Sequence, residues 1–210
     1  MSGASGTPYA AAVLRALLDA GESVDLVVSR ASRLTLLDET GISFRDAHWR
    51  DDLREWLARG ADGKPDAFDV DIDRVRHWSA GDLAAGPSSG SYPSKGMLIV
   101  PASTACVAGV ALGLSKDLLQ RAASVTLKER RKLVVAVRET PLNGQTLRHL
   151  VTLDDLGAAV VPASPGFYAG ATHIQDLVDF VAGRVLDAAG VEHDVYRRWK
   201  GDLGGGFRTT

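Results

Sequence analysis

Arg121 and Lys128 stand seven residues apart in the run "LLQRAASVTLKERRK", so both lie on one face if that run is helical. A guanidinium and an ammonium on one face suit a phosphate, which they grip through charge-assisted hydrogen bonds. Arg138 and Glu139 follow directly on the apolar run Leu133 to Val137. Around them the chain carries short segments rich in hydroxyls and glycine: "SGASG", "SRAS", "SSGSYPSKG", "PASTA" and "ASPGFYAG". Hydroxyls, backbone amides and guanidinium groups brought to one place would bind a phosphorylated ligand. The first of these segments precedes Pro8, a residue suited to the first position of a helix, with Ser5 and Thr7 as capping candidates. Small residues and free amides at a helix N-terminus form an anion site. The G-x-x-G spacing matches neither a dinucleotide fingerprint nor a P-loop, and a plain capping turn remains the competing reading.

Other chemistry-bearing residues read as structural. The five histidines, His48, His77, His149, His173 and His193, lack metal-ligand spacing. Asp51, Asp52 and Glu55 sit on one amphipathic run and read as a solvated face, as do Arg130, Arg131 and Lys132. Trp49, Trp56 and Trp78 read as core. The single Cys106 excludes an internal disulfide and reads as a small buried hydrophobe.

The elements that must position these groups follow from periodicity. Val13, Leu14, Leu17 and Leu18 form a helical stripe stopped by Gly21. Val24 to Ser29 is a β-branched run, followed by a helix over about Ser32 to Glu39. "RDDLREWLARG" predicts an amphipathic helix, "ADGKPDAFD" a loop and "VRHW" a short strand. Met97 to Val100, Leu133 to Val137 and Ala158 to Val161 are further strand-length runs, and the last helix spans about Ile174 to Ala189. Strand alternating with helix predicts an α/β fold with a parallel sheet covered on both faces, whose ligands sit at the carboxyl ends of the strands. With 210 residues, 45% hydrophobic and 24% charged, one domain is expected over 1–200, with 201–210 as a flexible tail. A net charge of -2 gives no reason to expect nucleic acid or an anionic membrane as partner. The uncharged stretch Gly96 to Ser115 reads as strand, turn and buried helix, because Pro101, Ser103 and Thr104 interrupt it. A cytoplasmic protein is expected.

Four segments, "SGASGTPY", "SSGSYPSKGMLIVPAST", "LLQRAASVTLKERRKLVVAVRETPLN" and "PASPGFY…IQDLVDFVAGRVLD", resemble in order the successive motifs of UbiX-type flavin prenyltransferases over nearly the whole chain. The resemblance implies a three-layer, Rossmann-like (flavodoxin-like) sheet that binds FMN and needs no metal. It implies transfer of a dimethylallyl group from dimethylallyl monophosphate to N5 and then C6 of reduced FMN, for use by UbiD-type decarboxylases; the diphosphate stays open as donor. It places Gly3, Ala4, Ser5, Ser29, Ser103, Thr104, Ala105, Cys106 and Arg138 on the flavin. It places Ser89, Gly90, Arg121, Lys128, Tyr168, Arg184 and Trp199 on the prenyl phosphate, and Glu39, Ser5, Arg121, Lys128 and Glu139 about the reacting atoms. It also implies a homo-oligomer, a dodecamer built of trimers, and a short strand before the "GASG" turn, which would precede residue 1. Leu83 stands where some members have an aromatic residue. Two rival readings are a flavin-dependent cysteine decarboxylase, whose "PASANT" and "PAMN"-type motifs are absent here, and a non-catalytic FMN-binding or delivery protein.

Overall fold

Alternate residues of the central strands feed two separate cores. In the computed structural model, which describes residues 1–66, 71–199 and 201, β3 (Gly96–Ala102) and β4 (Lys132–Val137) pair in parallel, and β5 (Ala159–Pro162) adds to β4. Leu98, Val100, Val134 and Ala136 face one core, shared with α1 (Thr7–Asp19), α3 (Trp49–Leu57) and α7 (Ile174–Ala189). Ile99, Leu133, Val135 and Val137 face the other, shared with α4 (Thr104–Ala111), α5 (Leu118–Lys128) and α6 (Gly144–Asp155). Helices thus cover both faces of a parallel sheet, the three-layer arrangement that a period-two pattern with apolar residues on both faces requires. A register shift between Ile99 and Ala102 turns Ala102 toward the second core.

A second sheet pairs β1 (Val24–Val28) with β2 (Val75–Ser79), again in parallel. Between β1 and β3 no strand pairing is present among the described residues. Met1 and Ser2 join the carboxyl ends of the two sheets instead. The Met1 nitrogen donates to the Val27 carbonyl at 2.8 Å and the Ser29 amide to the Met1 carbonyl at 3.2 Å. On the other side, the Ser2 amide donates to the Pro101 carbonyl at 3.2 Å.

Several local expectations need correction. The first helix begins at Thr7 behind Gly6, and neither Ser5 nor Thr7 caps it. Gly6 has φ 111°, a left-handed conformation that the bare residue tolerates. The helix α2 runs Arg30–Thr40, longer than the periodicity suggests, because Ser29 caps it through the Ser32 amide. Helix α5 stops at Lys128 and Arg130 has φ 56°, so Arg130, Arg131 and Lys132 form no helical face; Lys132 opens β4. Asp52 is not solvated. It is 3% exposed, and its carboxylate receives the Arg45 amide at 2.8 Å together with the Arg45 guanidinium. Residues 67–69 of the expected loop, and all but Gly201 of the expected tail, lie outside the described residues.

Candidate active site

Three helix N-termini meet where Met1 and Ser2 bridge the sheets. Ser29 caps α2, Ser103 caps α4 by receiving the Cys106 amide at 3.3 Å, and the turn Gly3–Gly6 leads into α1. The Ser2 hydroxyl fastens this corner, donating to the Pro101 carbonyl at 3.0 Å and receiving the Ser103 amide at 2.7 Å. A Cβ on Gly3 would lie 2.4 Å from the Cβ of Ala31, so only glycine lets the turn lie against the start of α2. Arg138, at the end of β4, donates from Nε to the Ser5 carbonyl at 3.0 Å. Convergent helix ends and a guanidinium make a cradle for an anionic phosphate ester, and these residues fit the phosphate end of FMN. Cys106 is buried beside them, and burial pushes its thiol up to about 11, away from an activated thiolate. In the first turn of α4, Thr104 is half-buried and Ala105 exposed.

Glu39 reaches this turn from the last part of α2. Its carboxylate receives the Gly6 amide at 2.9 Å, the Thr7 amide at 2.8 Å and the Thr7 hydroxyl at 2.7 Å. A carboxylate from another helix therefore satisfies the orphan amides that a local side chain normally would. Burial works to raise the Glu39 pKa, but hydrogen bonds from Ser5, Thr7 and Gly6 outweigh it and hold the group below the usual range. A cavity of about 110 Å³ adjoins it, lined among others by Thr7, Arg15, Trp56, Arg59 and Gln175. Glu139 is exposed, and its side chain receives the amide of Thr140 at 3.0 Å.

A second cluster joins α5 to the loop before β3. Arg121 donates from Nε to the Ser88 carbonyl at 3.1 Å, and Lys128 pairs with Glu129. A Cβ on Gly90 would come within 2.6 Å of the Lys128 ammonium and 2.1 Å of a Glu129 oxygen. The Ser88–Gly90 loop thus lies against both Arg121 and Lys128. Arg131, read as solvated, is the clamp of this loop: Nη2 donates to the Gly90 carbonyl at 2.7 Å, and Nη1 to the Tyr92 carbonyl at 2.9 Å. Nothing local in the sequence signals this, because Gly90 lies 41 residues away. Leu83 is exposed.

A third cluster sits on α7. The Tyr168 ring stands edge-on to Trp199 at 6.1 Å and to Phe180 at 5.4 Å. Arg184 lies on the same helix and bonds Asp187 at 2.8 Å. Among the described residues, no hydrogen bond or ring contact joins this cluster to the Arg121 loop or to Glu39 within one chain. Nor are three His, Cys, Asp or Glu side chains grouped to hold a metal ion, and no helix is long and apolar enough to cross a membrane.

The flavoprotein family model matches residues 1–186. The chain belongs to that family. Its place there is among the UbiX-type flavin prenyltransferases: it is 91% identical to the flavin prenyltransferase UbiX of Streptomyces coelicolor over 205 residues, covering 98% of this chain and 95% of that one. Among solved structures, AnUbiX (PadA1) in complex with FMN and dimethylallyl pyrophosphate superposes with a TM-score of 0.79 at 33% identity, over 96% of this chain and 95% of the other. A dodecameric FMN-dependent UbiX-like decarboxylase from Escherichia coli O157:H7 gives 0.79 at 35% identity, over 96% and 97%. The flavodoxin-like reading of the fold and the prenyltransferase reading of the motifs both hold.

Proposed function

We propose that this chain transfers a dimethylallyl group from dimethylallyl phosphate to N5 and C6 of reduced FMN, and that the product serves a UbiD-type decarboxylase. The observation that carries this beyond flavin binding is a second cationic cluster. Arg121 and Lys128 stand at the Ser88–Gly90 loop, apart from the cradle made by the ends of α1, α2 and α4 with Arg138. A protein that only stored or delivered flavin has no use for a second anion site.

When bound, reduced FMN supplies the electron-rich N5 and C6 that accept the allylic carbons. Arg121 and Lys128 hold the donor phosphate, with Ser89 and the Gly90 backbone setting its place. As the allylic C–O bond breaks, its electron pair leaves on phosphate, and preorganised cations stabilise that charge. The Tyr168 and Trp199 rings offer π-faces to the positive charge left on the allyl group. Closing the second bond adds a proton to C2 of the prenyl double bond, supplied by the released phosphate that took it up from flavin N5; C3 then bonds to C6, and C6 releases its own proton. Glu39 accepts it: a carboxylate held below its ordinary range is ionised at neutral pH, and a ring proton made acidic by alkylation needs only a weak base. No step calls on a metal.

Apolar side chains that the monomer leaves exposed, including Leu34, Leu112 and Val151, support assembly with further copies of the chain, as in the dodecameric relative. A cytoplasmic setting accords with the need to keep flavin reduced. Incubation with FMN, a reductant and dimethylallyl monophosphate or diphosphate, followed by mass spectrometry of the extracted flavin, tests the reading. A gain of one prenyl unit with either donor supports it. Unchanged flavin together with decarboxylation of a C-terminal cysteine peptide would replace it with the decarboxylase reading.

A further inference from the structure

Four side chains converge on the carboxylate of Asp187. Arg184, one turn earlier on α7, donates from Nη1 to Oδ2 at 2.8 Å. The other three return from beyond Gly190, which ends the helix. Arg198 donates from Nη2 to Oδ1 at 2.8 Å, the Tyr196 hydroxyl donates to Oδ2 at 2.8 Å, and His193 Nε2 lies 3.1 Å from Oδ1. Gly183 makes this return possible. A Cβ there would lie 2.2 Å from Cδ1 of Tyr196 and 2.9 Å from Cε1 of His193. The docked segment continues the aromatic cluster, with Tyr196 edge-on to Phe180 at 5.2 Å and Trp199 against Tyr168.

Two guanidiniums share one carboxylate, so the group keeps an excess positive charge. Both arginines remain about half exposed, while Asp187 is largely covered. An anion can therefore reach the cations, and the carboxylate that arranges them stays behind. We infer that Asp187 is a positioning residue of the prenyl-phosphate site: it fixes Arg184 and docks the segment from His193 to Trp199, so that cation and aromatic faces meet the donor together. This rests on the proposed function and extends it to Asp187, His193, Tyr196 and Arg198, to which the sequence reading gave no role at the site.

Steady-state prenylation at saturating FMN, with dimethylallyl monophosphate varied, tests it on four variants. R184A and D187N should each raise the KM for the donor at least about fivefold, the effect of losing a charged hydrogen bond. In D187N and G183A kcat should stay within about twofold, and in all three variants so should the Kd for FMN. G183A removes no charge and places a better helix former in α7, yet forces Tyr196 and His193 away; it should raise the donor KM as well, and it carries the test alone if D187N does not fold. D187E, keeping the charge, should recover part of the loss. A raised KM in R184A with wild-type values in D187N and G183A overturns the positioning role and leaves the proposed function standing. No effect in R184A removes Arg184 from the donor site, and this inference with it. Parallel loss of kcat, FMN binding and thermal stability in D187N and G183A would reduce Asp187 to a structural tie.

Discussion

At Glu39, the oxygens that receive the Gly6 and Thr7 amides are those proposed to take the C6 proton. Replacing it with glutamine keeps one acceptor oxygen but removes the charge, and turns an amide NH2 toward donors. E39Q should lower stability by about 1 kcal/mol through the weakened helix cap. It should slow the second bond-forming step at least about tenfold, with the first unchanged. Anaerobic stopped-flow absorbance separates the steps, and normal ring closure would assign the base role to the released phosphate. Asp187 sets a pH signature of its own. Burial tends to raise its pKa, but hydrogen bonds from Arg198, Tyr196 and His193 hold it at about 2. A depressed carboxyl pKa stabilises the folded state above the unfolded value near 4, and that contribution is lost as pH falls through about 2. Denaturant midpoints between pH 5 and pH 2 should therefore fall more steeply for the wild type than for D187N, with up to about 2 kcal/mol between them at the upper end. Parallel curves would place the stabilising charge elsewhere.

Helix α5 carries Arg121 and Lys128 one above the other and packs against the loop that they serve. Arg121→Ala and Lys128→Ala should each cut turnover at least about tenfold, a loss of roughly one to several kcal/mol of transition-state charge stabilisation, with FMN affinity little changed. Parallel loss of FMN binding would move both residues to the flavin site. This helix also shows what could be read in the sequence. The seven-residue spacing of Arg121 and Lys128, the apolar runs of β3 and β4 and the span of α7 were all legible, because each is a local periodicity. The purpose of Arg131 was not, since a guanidinium past a helix end looks the same whether it meets water or three groups of a distant loop. Asp52 was misread for a similar reason: its partner Arg45 precedes the helix that makes the pattern. The capping of α1 by Glu39, 32 residues away from Thr7, lies beyond any local rule. The Asp187 cluster was half legible, in the spacing of Arg184 and Asp187 along one helix turn, but the returning segment has no periodicity to announce it.

In the whole molecule the Arg184 and Arg121 clusters remain separate, which fits a pocket completed by a neighbouring copy. Mixing R184A with E39Q after dissociation and reassembly, with ring closure assayed at a donor concentration well below the R184A KM, tests this. If the two residues of one pocket come from different chains, about a quarter of the pockets in an equal mixture regain both, and activity partly returns. No recovery despite demonstrated subunit exchange, or a fully active monomer by light scattering, would place the complete pocket in one chain.

The Arg131 clamp has a consequence for traffic through that pocket. The loop from Ser88 to Ser94 is tied by Arg121 at Ser88 and by Arg131 at Gly90, Tyr92 and Ser94, while the Tyr92 hydroxyl bonds Asp25 at 3.0 Å. Four successive anchors oppose movement of this segment, so we expect it to act as a fixed wall of the donor site and not as a door. If this loop is fixed, the expected site of opening is the looser cluster where Trp199 and Tyr168 meet through a ring contact. Hydrogen exchange should show the loop amides protected with and without donor, while those around Tyr168 slow only when the donor binds. The reverse pattern would make the loop the gate, and Arg131 its latch.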